Sequence, residues 1–419
     1  MSRLTVVEIC AGAGGQALGL ELAGFEHRLA VELDGNAAAT LRENRGWEVR
    51  VGDVADETVW NPEDFSDDLT LLAGGVPCPP FSIAGKQLGT SDERDLFAWA
   101  VELAGRMQPR AVLLENVRGL SMPRFSGYRQ HVKDRFEELG YWSDWKLLEA
   151  RDFGVPQLRP RFILVALREE DARHFNWPEP TPFIGTVGSA LRDLMAADGW
   201  PGADAWASRA NGIAPTIVGG SKKHGGADLG PTRAKRAWAT LGVDGMGVSD
   251  TPPSAEHPVD FVPKLTTEMV ARIQGWGPEP EYEWKFTGRK TSRYRQIGNA
   301  FPPPVARAVG SAIAAAIRHE GARKDLAQIE AEVMYDPIYV ALKRADQPLT
   351  ARQIIRAASG AVEAKNFEQH LGTLSRDFEI KHYGVGEERT YALGSFKGFV
   401  GQADHIRHLA FETARSKIS

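Results

Sequence analysis

Cysteine is nearly absent from this 419-residue chain: Cys10 and Cys78 are the whole complement. Two cysteines exclude a disulfide framework and an all-cysteine zinc site, and a reducing cytoplasm suits them best. Positive charge is not in excess either. Lys and Arg number 50 against 55 Asp and Glu, a formal net charge of -5, so any contact with nucleic acid has to come from local patches. Long hydrophobic runs are also missing. Met1-Ser2-Arg3 leads directly into a short apolar stretch with no signal-peptide core, and no later segment reads as long enough to span a membrane. What is present is the composition of an ordinary soluble protein, 42% hydrophobic and 25% charged, with length for two or three domains.

The opening reads as strand, glycine turn, helix. Leu4 to Cys10 is apolar, Ala11-Gly12-Ala13-Gly14-Gly15 follows, and an amphipathic helix runs to Ala23. Glycines at 12, 14 and 15 allow a tight turn and let a ligand approach where a Cβ would clash. A second strand ends in Glu32, suited to ribose hydroxyls, and a third at Gly52-Asp53, whose carboxylate suits an adenine amine. The same residues match the dinucleotide fingerprint, a weak signal, and a plain glycine turn in a doubly wound sheet stays open too.

Cys78 follows the apolar stretch Leu69 to Ala73 and stands between prolines. A stiff strand end with a thiol of pKa ~8.5 is a good position for a nucleophile, against the blander reading of a small buried hydrophobe. A polar loop, Ile83 to Arg94, follows as a candidate lid. The strand Ala111 to Leu114 then delivers Glu115, whose apolar approach points to a desolvated carboxyl rather than a solvated one. Gln157-Leu158-Arg159-Pro160-Arg161 leads into another strand, with two arginines on one side of an extended segment, able to converge on a phosphate and a base oxygen or, more blandly, to form surface ion pairs.

Taken in order, Ala11-Gly12-x-Gly14-Gly15, Pro77-Cys78, Glu115-Asn116-Val117, Gln157-x-Arg159-x-Arg161 and Gln296-x-Gly298-Asn299 resemble the C5-cytosine DNA methyltransferase family over about residues 1 to 320. The resemblance implies an α/β fold with a Rossmann-like S-adenosylmethionine-dependent domain and a small loop-rich target-recognition domain. It also implies a chemistry. C5 of cytosine is a poor nucleophile, so the Cys78 thiolate adds to C6 first. Glu115 would bond N3 and the exocyclic amine, Arg161 would hold O2, and Arg159 would support the loop and backbone. The C5 proton then has to leave, with no side-chain base assigned, and the target base must be flipped out of the duplex. By the same analogy Cys10, Gly12, Gly14, Gly15, Glu32, Leu33, Asp53 and Asn299 would hold the cofactor, Asn299 as the opening of a helix to about Arg318. Ser82, Lys86 and Gln87 in the loop after the nucleophile would face DNA. No metal is implied. The chain departs from the family at Cys10, where phenylalanine is usual, at Pro79 in place of glutamine, at Pro160 in place of glutamate, and at Leu33, where a tryptophan often follows the ribose acid.

The expected domains are 1–169 for catalysis and cofactor, 170–264 for target recognition, 265–320 as helices returning to the catalytic domain, and 321–419 as a winged-helix-like C-terminal domain. Between 222 and 236 five Lys or Arg face one Asp, making Lys222, Lys223, Arg233, Lys235 and Arg236 candidates for DNA. Lys285, Arg289, Lys290, Arg293 and Arg295 form a second patch, suited to the DNA backbone. The C-terminal pattern is helices near 337–343, 351–358 and 365–374, then strands near 379–383 and 389–393, a winged helix-turn-helix that binds DNA or protein. Double-stranded DNA is the expected partner, with a cognate restriction endonuclease as a candidate second one; a monomer on DNA is expected, with the C-terminal domain as the source of any dimer. The rivals are an RNA cytosine methyltransferase on the same scaffold and a non-catalytic DNA-binding regulator, against which Cys78, Glu115 and Arg161 speak. A zinc deaminase fails, because position 81 is Phe where a second cysteine is needed.

Overall fold

The computed structural model describes residues 3–76, 94–182, 185–219, 226–326, 336–358 and 362–397. Cys78, Ser82, Lys86, Gln87, Lys222 and Lys223 lie outside the described residues. Contacts divide the chain into two units, one of 1–76, 106–116 and 146–324, the other of 77–105, 117–145 and 325–419.

The first unit is built on strands β1 (Leu4–Ile9), β2 (Phe25–Glu32), β3 (Val49–Val51), β4 (Leu71–Gly74), β5 (Ala111–Val117), β6 (Tyr141–Glu149) and β7 (Pro160–Arg168). Their order is β3-β2-β1-β4-β5-β7-β6, with β1 parallel to β2 and β4, β2 to β3, and β4 to β5. Leu71 to Gly74 and Ala111 to Leu114 are buried without alternation, the mark of strands covered on both faces. From β1 the chain proceeds outward to β2 and β3, then returns to β1's other side for β4 and β5. That reversal creates a crevice at the carboxyl ends of β1 and β4, where open α/β sheets bind ligands. Helix α1 (Gly15–Leu22) follows β1, and α2 (Gly35–Asn44) is capped by the Asp34 side chain, which accepts from Asn36 N and Ala37 N.

The expectation of a loop-rich 170–264 segment agrees with the structure, in which most of the described residues lie between short helices. It contains α5 (Glu169–Ala172), α6 (Val187–Ala196), α7 (Ala203–Arg209) and α8 (Thr232–Thr240), and no named strand among the described residues. Three of its tryptophans are core residues: Trp200, Trp206 and Trp238 are buried with Leu191, Met195 and Ile217. Trp206 Nε1 donates to Gly242 O at 3.0 Å and Trp200 Nε1 to Pro258 O at 2.9 Å, so these two rings are buried without stranding their N–H groups.

Three helices complete the unit: α9 (Thr267–Gln274), α10 (Lys290–Asn299) and α11 (Pro303–Ile317). Asn299 therefore closes α10 and does not open α11. Pro302, Pro303 and Pro304 are the reason, since proline cannot continue a helix but suits its first turn. By length and composition the span Lys290–Ile317 passes as apolar enough to cross a membrane, contrary to the sequence reading, yet 61% of its apolar window is buried in the fold. Helix α11 lies on α1 at close range: a Cβ on Gly19 would stand 2.5 Å from Ala306 Cβ and from Pro303 O.

In the second unit, α3 (Arg94–Met107) and α4 (Ser126–Glu138) are joined by an Arg135–Glu102 ion pair of 2.7 Å and by Phe97 against Tyr128. They share the unit with α12 (Pro337–Lys343), β8 (Leu349–Thr350), α13 (Ala351–Ala357), α14 (Phe367–Leu374), β9 (Phe378–Tyr383) and β10 (Thr390–Phe396). Strands β8, β10 and β9 form an antiparallel sheet over a core of Ile338, Ile354, Phe367, Leu371, Leu374 and Phe378. The C-terminal elements grip α4. Tyr339 OH and Lys343 Nζ each donate to Asp134 Oδ2 at 2.7 Å, and the His131 ring stacks on Phe396 at 4.3 Å.

Candidate active site

The glycine turn begins at Cys10, whose φ of 51° turns the chain off β1. Gly12 (φ 58°) has nothing within 4 Å of where a Cβ would stand, whereas one on Gly14 would meet the Trp284 ring at 2.5 Å and one on Gly15 the Phe301 carbonyl oxygen at 2.2 Å. The three glycines thus have different reasons. Gly12 borders open space for a ligand; Gly14 and Gly15 are demanded by the protein's own packing, which corrects the expectation that all three serve ligand approach.

Glu32, at the end of β2, fixes this turn. Its Oε2 accepts from Gly12 N and its Oε1 from Asp34 N, both at 2.7 Å. Burial pushes its carboxyl up, against the pull of those two N–H groups. Asp53, just beyond β3, is buried, and its Oδ1 accepts from Ala55 N at 3.0 Å. Leu33 is 49% exposed beside Glu32, leaving apolar surface at the same edge. Cys10, Glu32 and Asp53 consequently follow three adjacent strands. Asn299 comes from the far end of the unit, with Gly219 packed against it: a Cβ on Gly219 would stand 2.5 Å from Asn299 Oδ1.

Beside them β4 and β5 run in register, Gly74 against Leu114. Glu115 lies inside β5 rather than after it, so the strand itself aims the carboxyl. It is 9% exposed, and burial pushes its carboxyl up while Arg161 and Arg159 oppose the shift. Arg161 Nε stands 2.5 Å from Glu115 Oε1. The N–H is not aligned along that contact, so the pair is held by charge and its hydrogen-bonding groups stay available for other partners. Asn116 Nδ2 donates to Val76 O at 3.0 Å, tying β5 to the segment that leads toward Cys78.

Arg159 does something else. It is 1% exposed, and its guanidinium donates to the carbonyls of Ile217 (2.7 Å), Gly298 (2.8 Å) and Ala300 (2.9 Å). The two arginines therefore do not converge on a phosphate and a base oxygen as the extended spacing suggested, because the Nη groups of Arg159 are engaged by backbone carbonyls. Its bonds close a ring. Gln157 Oε1 accepts from Ile217 N, Gln157 Nε2 donates to Gln274 Oε1, and Gln274 Nε2 donates to Ala300 O, at 2.9, 2.6 and 2.8 Å.

Sequence reasoning missed Gln16, Gln274 and Trp284. Trp284 Nε1 donates to Ala13 O at 2.8 Å and roofs the glycine turn from 271 residues away, and Gln274 closes the ring from a helix with no local signal. Gln16 was legible only as a polar residue directly after the paired glycines. Among the basic candidates, Arg233, Arg236 and Arg289 are exposed. Lys235 pairs with Asp228 at 2.9 Å and Lys290 with Asp250 at 2.8 Å, so these two are partly neutralised.

Residues 4–315 match the family model described as C-5 cytosine-specific DNA methylase. The Type II methyltransferase M.NaeI of Lentzea aerocolonigenes is 62% identical over 420 residues, covering 100% of both chains. M.NgoMIV of Neisseria gonorrhoeae, also a Type II methyltransferase, is 49% identical over 76% of this chain and 99% of its own. In fold, the Entamoeba histolytica methyltransferase EhMeth is similar at a TM-score of 0.51 and 13% identity, covering 75% of this chain and 98% of that one.

Proposed function

Because the chain belongs to the C-5 cytosine-specific DNA methylase family, and is a DNA cytosine-5-methyltransferase that uses S-adenosylmethionine, we propose that Cys78, Glu115 and Arg161 carry its reaction. The observation that carries this reading is the buried Glu115–Arg161 pair on the strand beside the one that leads to Cys78. Burial raises the Glu115 carboxyl while Arg161 and Arg159 oppose the shift; in this reading Glu115 bonds N3 of cytosine through one oxygen and accepts from the exocyclic amine with the other. Arg161 neutralises charge that collects on O2. The Cys78 thiolate adds to C6, which makes C5 the nucleophilic carbon. Arg159 acts as a positioning residue through its three carbonyls.

The residues present fit the cofactor: open space over Gly12, a turn-bound Glu32 carboxylate with lone pairs left for ribose hydroxyls, a buried Asp53, and exposed apolar surface on Leu33. Bound there, S-adenosylmethionine supplies an electrophilic methyl on a sulfonium. Glu32 orients the ribose, Asp53 receives the adenine amine, and Cys10, Leu33 and Asn299 border the pocket. Residues 170–264 read the target, with Arg233, Arg236 and Arg289, and with Ser82, Lys86, Gln87, Lys222, Lys223 and Lys290, on the DNA. Whole-length similarity to a protein named a Type II methyltransferase supports a role in restriction-modification; on this reading the protein works in the cytoplasm as a monomer on DNA, protecting sites from a cognate endonuclease. The C-terminal elements, three helices with a small antiparallel sheet, support a winged-helix domain for residues 321–419.

The test is bisulfite sequencing of DNA from a methylation-free host expressing wild type, Cys78→Ala or Glu115→Gln. Cytosines methylated in one short motif, absent with Cys78→Ala and sharply reduced with Glu115→Gln, are expected. Full methylation by Cys78→Ala would refute the assignment.

A further inference from the structure

The first turn of α1 holds a side chain that the reaction as described leaves unused. Gln16 is 3% exposed, and both its Oε1 and its Nε2 are buried without a hydrogen-bond partner among the described residues. An amide buried in this state has lost its hydrogen bonds to water and gained none in return. Native proteins leave few such groups unpaired, and those that remain call for a partner from outside the chain.

The surroundings say what kind of partner. A Cβ on Gly75 would stand 3.6 Å from Glu115 Oε2, 3.8 Å from the Cys10 carbonyl oxygen and 3.9 Å from Gln16 Oε1. Three oxygens, from the end of β1, the start of α1 and the middle of β5, thus border the space that glycine leaves open. Converging oxygens make a locally negative cradle, which suits a cationic or positively polarised group. Along the sheet edge, β3 and β2 lead to Asp53 and Glu32, β5 carries Glu115, and β1 and β4 lie between. The cradle is therefore bracketed by the carboxylates read above as adenosine ligands and by the carboxyl read as the holder of the base. A sulfonium is the group of the cofactor that lies between its adenosine and the methyl to be moved.

Building on that cofactor reading, we propose that Gln16 is a cofactor-binding residue whose amide oxygen, with Cys10 O and Glu115, favours positively charged S-adenosylmethionine over neutral S-adenosylhomocysteine. Gln16 then assists both binding of the donor and release of the spent product, without touching the target base.

Gln16→Met keeps the side chain's length and removes both polar atoms. Titration calorimetry on the full-length protein is expected to show S-adenosylmethionine weakened roughly tenfold or more, and S-adenosylhomocysteine by less than about threefold. Ligand-free Gln16→Met is expected to melt above wild type, because two unpaired buried atoms are gone; a merely structural amide would move melting the other way. Unchanged affinity for S-adenosylmethionine, equal weakening of both ligands, or a lowered ligand-free Tm would each overturn the inference. Wild-type protein that binds neither ligand would instead refute the cofactor-site reading beneath it.

Discussion

Arg159→Met separates a residue that holds the site together from one that touches substrate. The wild-type guanidinium, fully buried, supplies hydrogen bonds to three carbonyls drawn from two distant stretches of chain, Ile217 and then Gly298 and Ala300. Hydrogen bonds from a charged donor are worth about 1.5–3 kcal/mol each, but burying the charge offsets much of that sum. The offset is visible in the group itself, whose pKa burial drives well below the ordinary arginine value. Methionine fills the volume and leaves three carbonyls without this donor. Breaking a buried charged network of this kind costs about 3–5 kcal/mol, and that is the expected loss in urea unfolding. Activity should fall with the folded fraction and recover in part at low temperature. Arg161→Met gives the contrast: a smaller stability change, since Glu115 can keep its proton, with methylation lost. Arg159→Met that unfolds within about 1 kcal/mol of wild type yet has no activity would refute the argument and put Arg159 on the substrate.

Other outcomes follow from single observations. Burial and the Lys343 charge depress the His131 pKa to about 4 from 6.5; the unfolded chain takes up the proton first, so stability is complete above pH 6.5 and declines as pH falls toward 4, by roughly 2–3 kcal/mol. His131→Phe, which preserves stacking on Phe396, should flatten that decline when α4 amides are followed by hydrogen exchange. Gly12→Ala and Gly15→Ala should fail differently: the first, strained by its φ of 58°, lowers Tm modestly and loses S-adenosylmethionine affinity in calorimetry, whereas the second forces a Cβ against the Phe301 carbonyl and lowers Tm sharply. Equal melting of the two would contradict the distinction. Tyr339→Phe removes the hydroxyl from Asp134 and should destabilise the second unit by about 1 kcal/mol, read by chemical denaturation; an unchanged midpoint would show that the contact contributes nothing.

Residues whose chemistry acts near their own place in the chain were the legible ones. The strand, turn and helix from Leu4 to Leu22, the acids Glu32 and Asp53, and Glu115 after an apolar run each advertise themselves by local pattern. Boundaries went astray where a proline or a neighbour intervened. Asn299 reads as a helix start because apolar residues follow it, yet three prolines move the helix on to Pro303. The burial of Trp200 and Trp206 was not legible because their partners come from separate segments, and only the folded chain reveals Pro258 and Gly242 as acceptors.

The paired arginines show most clearly why the remainder was hidden. Spacing of two on an extended segment correctly gives them one side of the chain, but that side is shared by two environments. Arg161 meets a carboxyl from β5, and Arg159 meets carbonyls brought by residues 217 and 298–300, which lie 58 to 141 positions away. Their divergence depends on the ring of Gln157, Gln274 and Ala300, whose members have no periodic or compositional signature. Such a ring forms only when β7, the 214–219 segment, α9 and the end of α10 are already assembled. It follows that the arrangement holding Arg159 on backbone carbonyls is a property of tertiary closure. A variant that loosens that closure at Gln274, such as Gln274→Leu, should weaken the same network as Arg159→Met, and the double variant should cost less than the sum of the two. Additive losses in the double-mutant cycle would show that the two side chains act independently and that no such ring exists in solution.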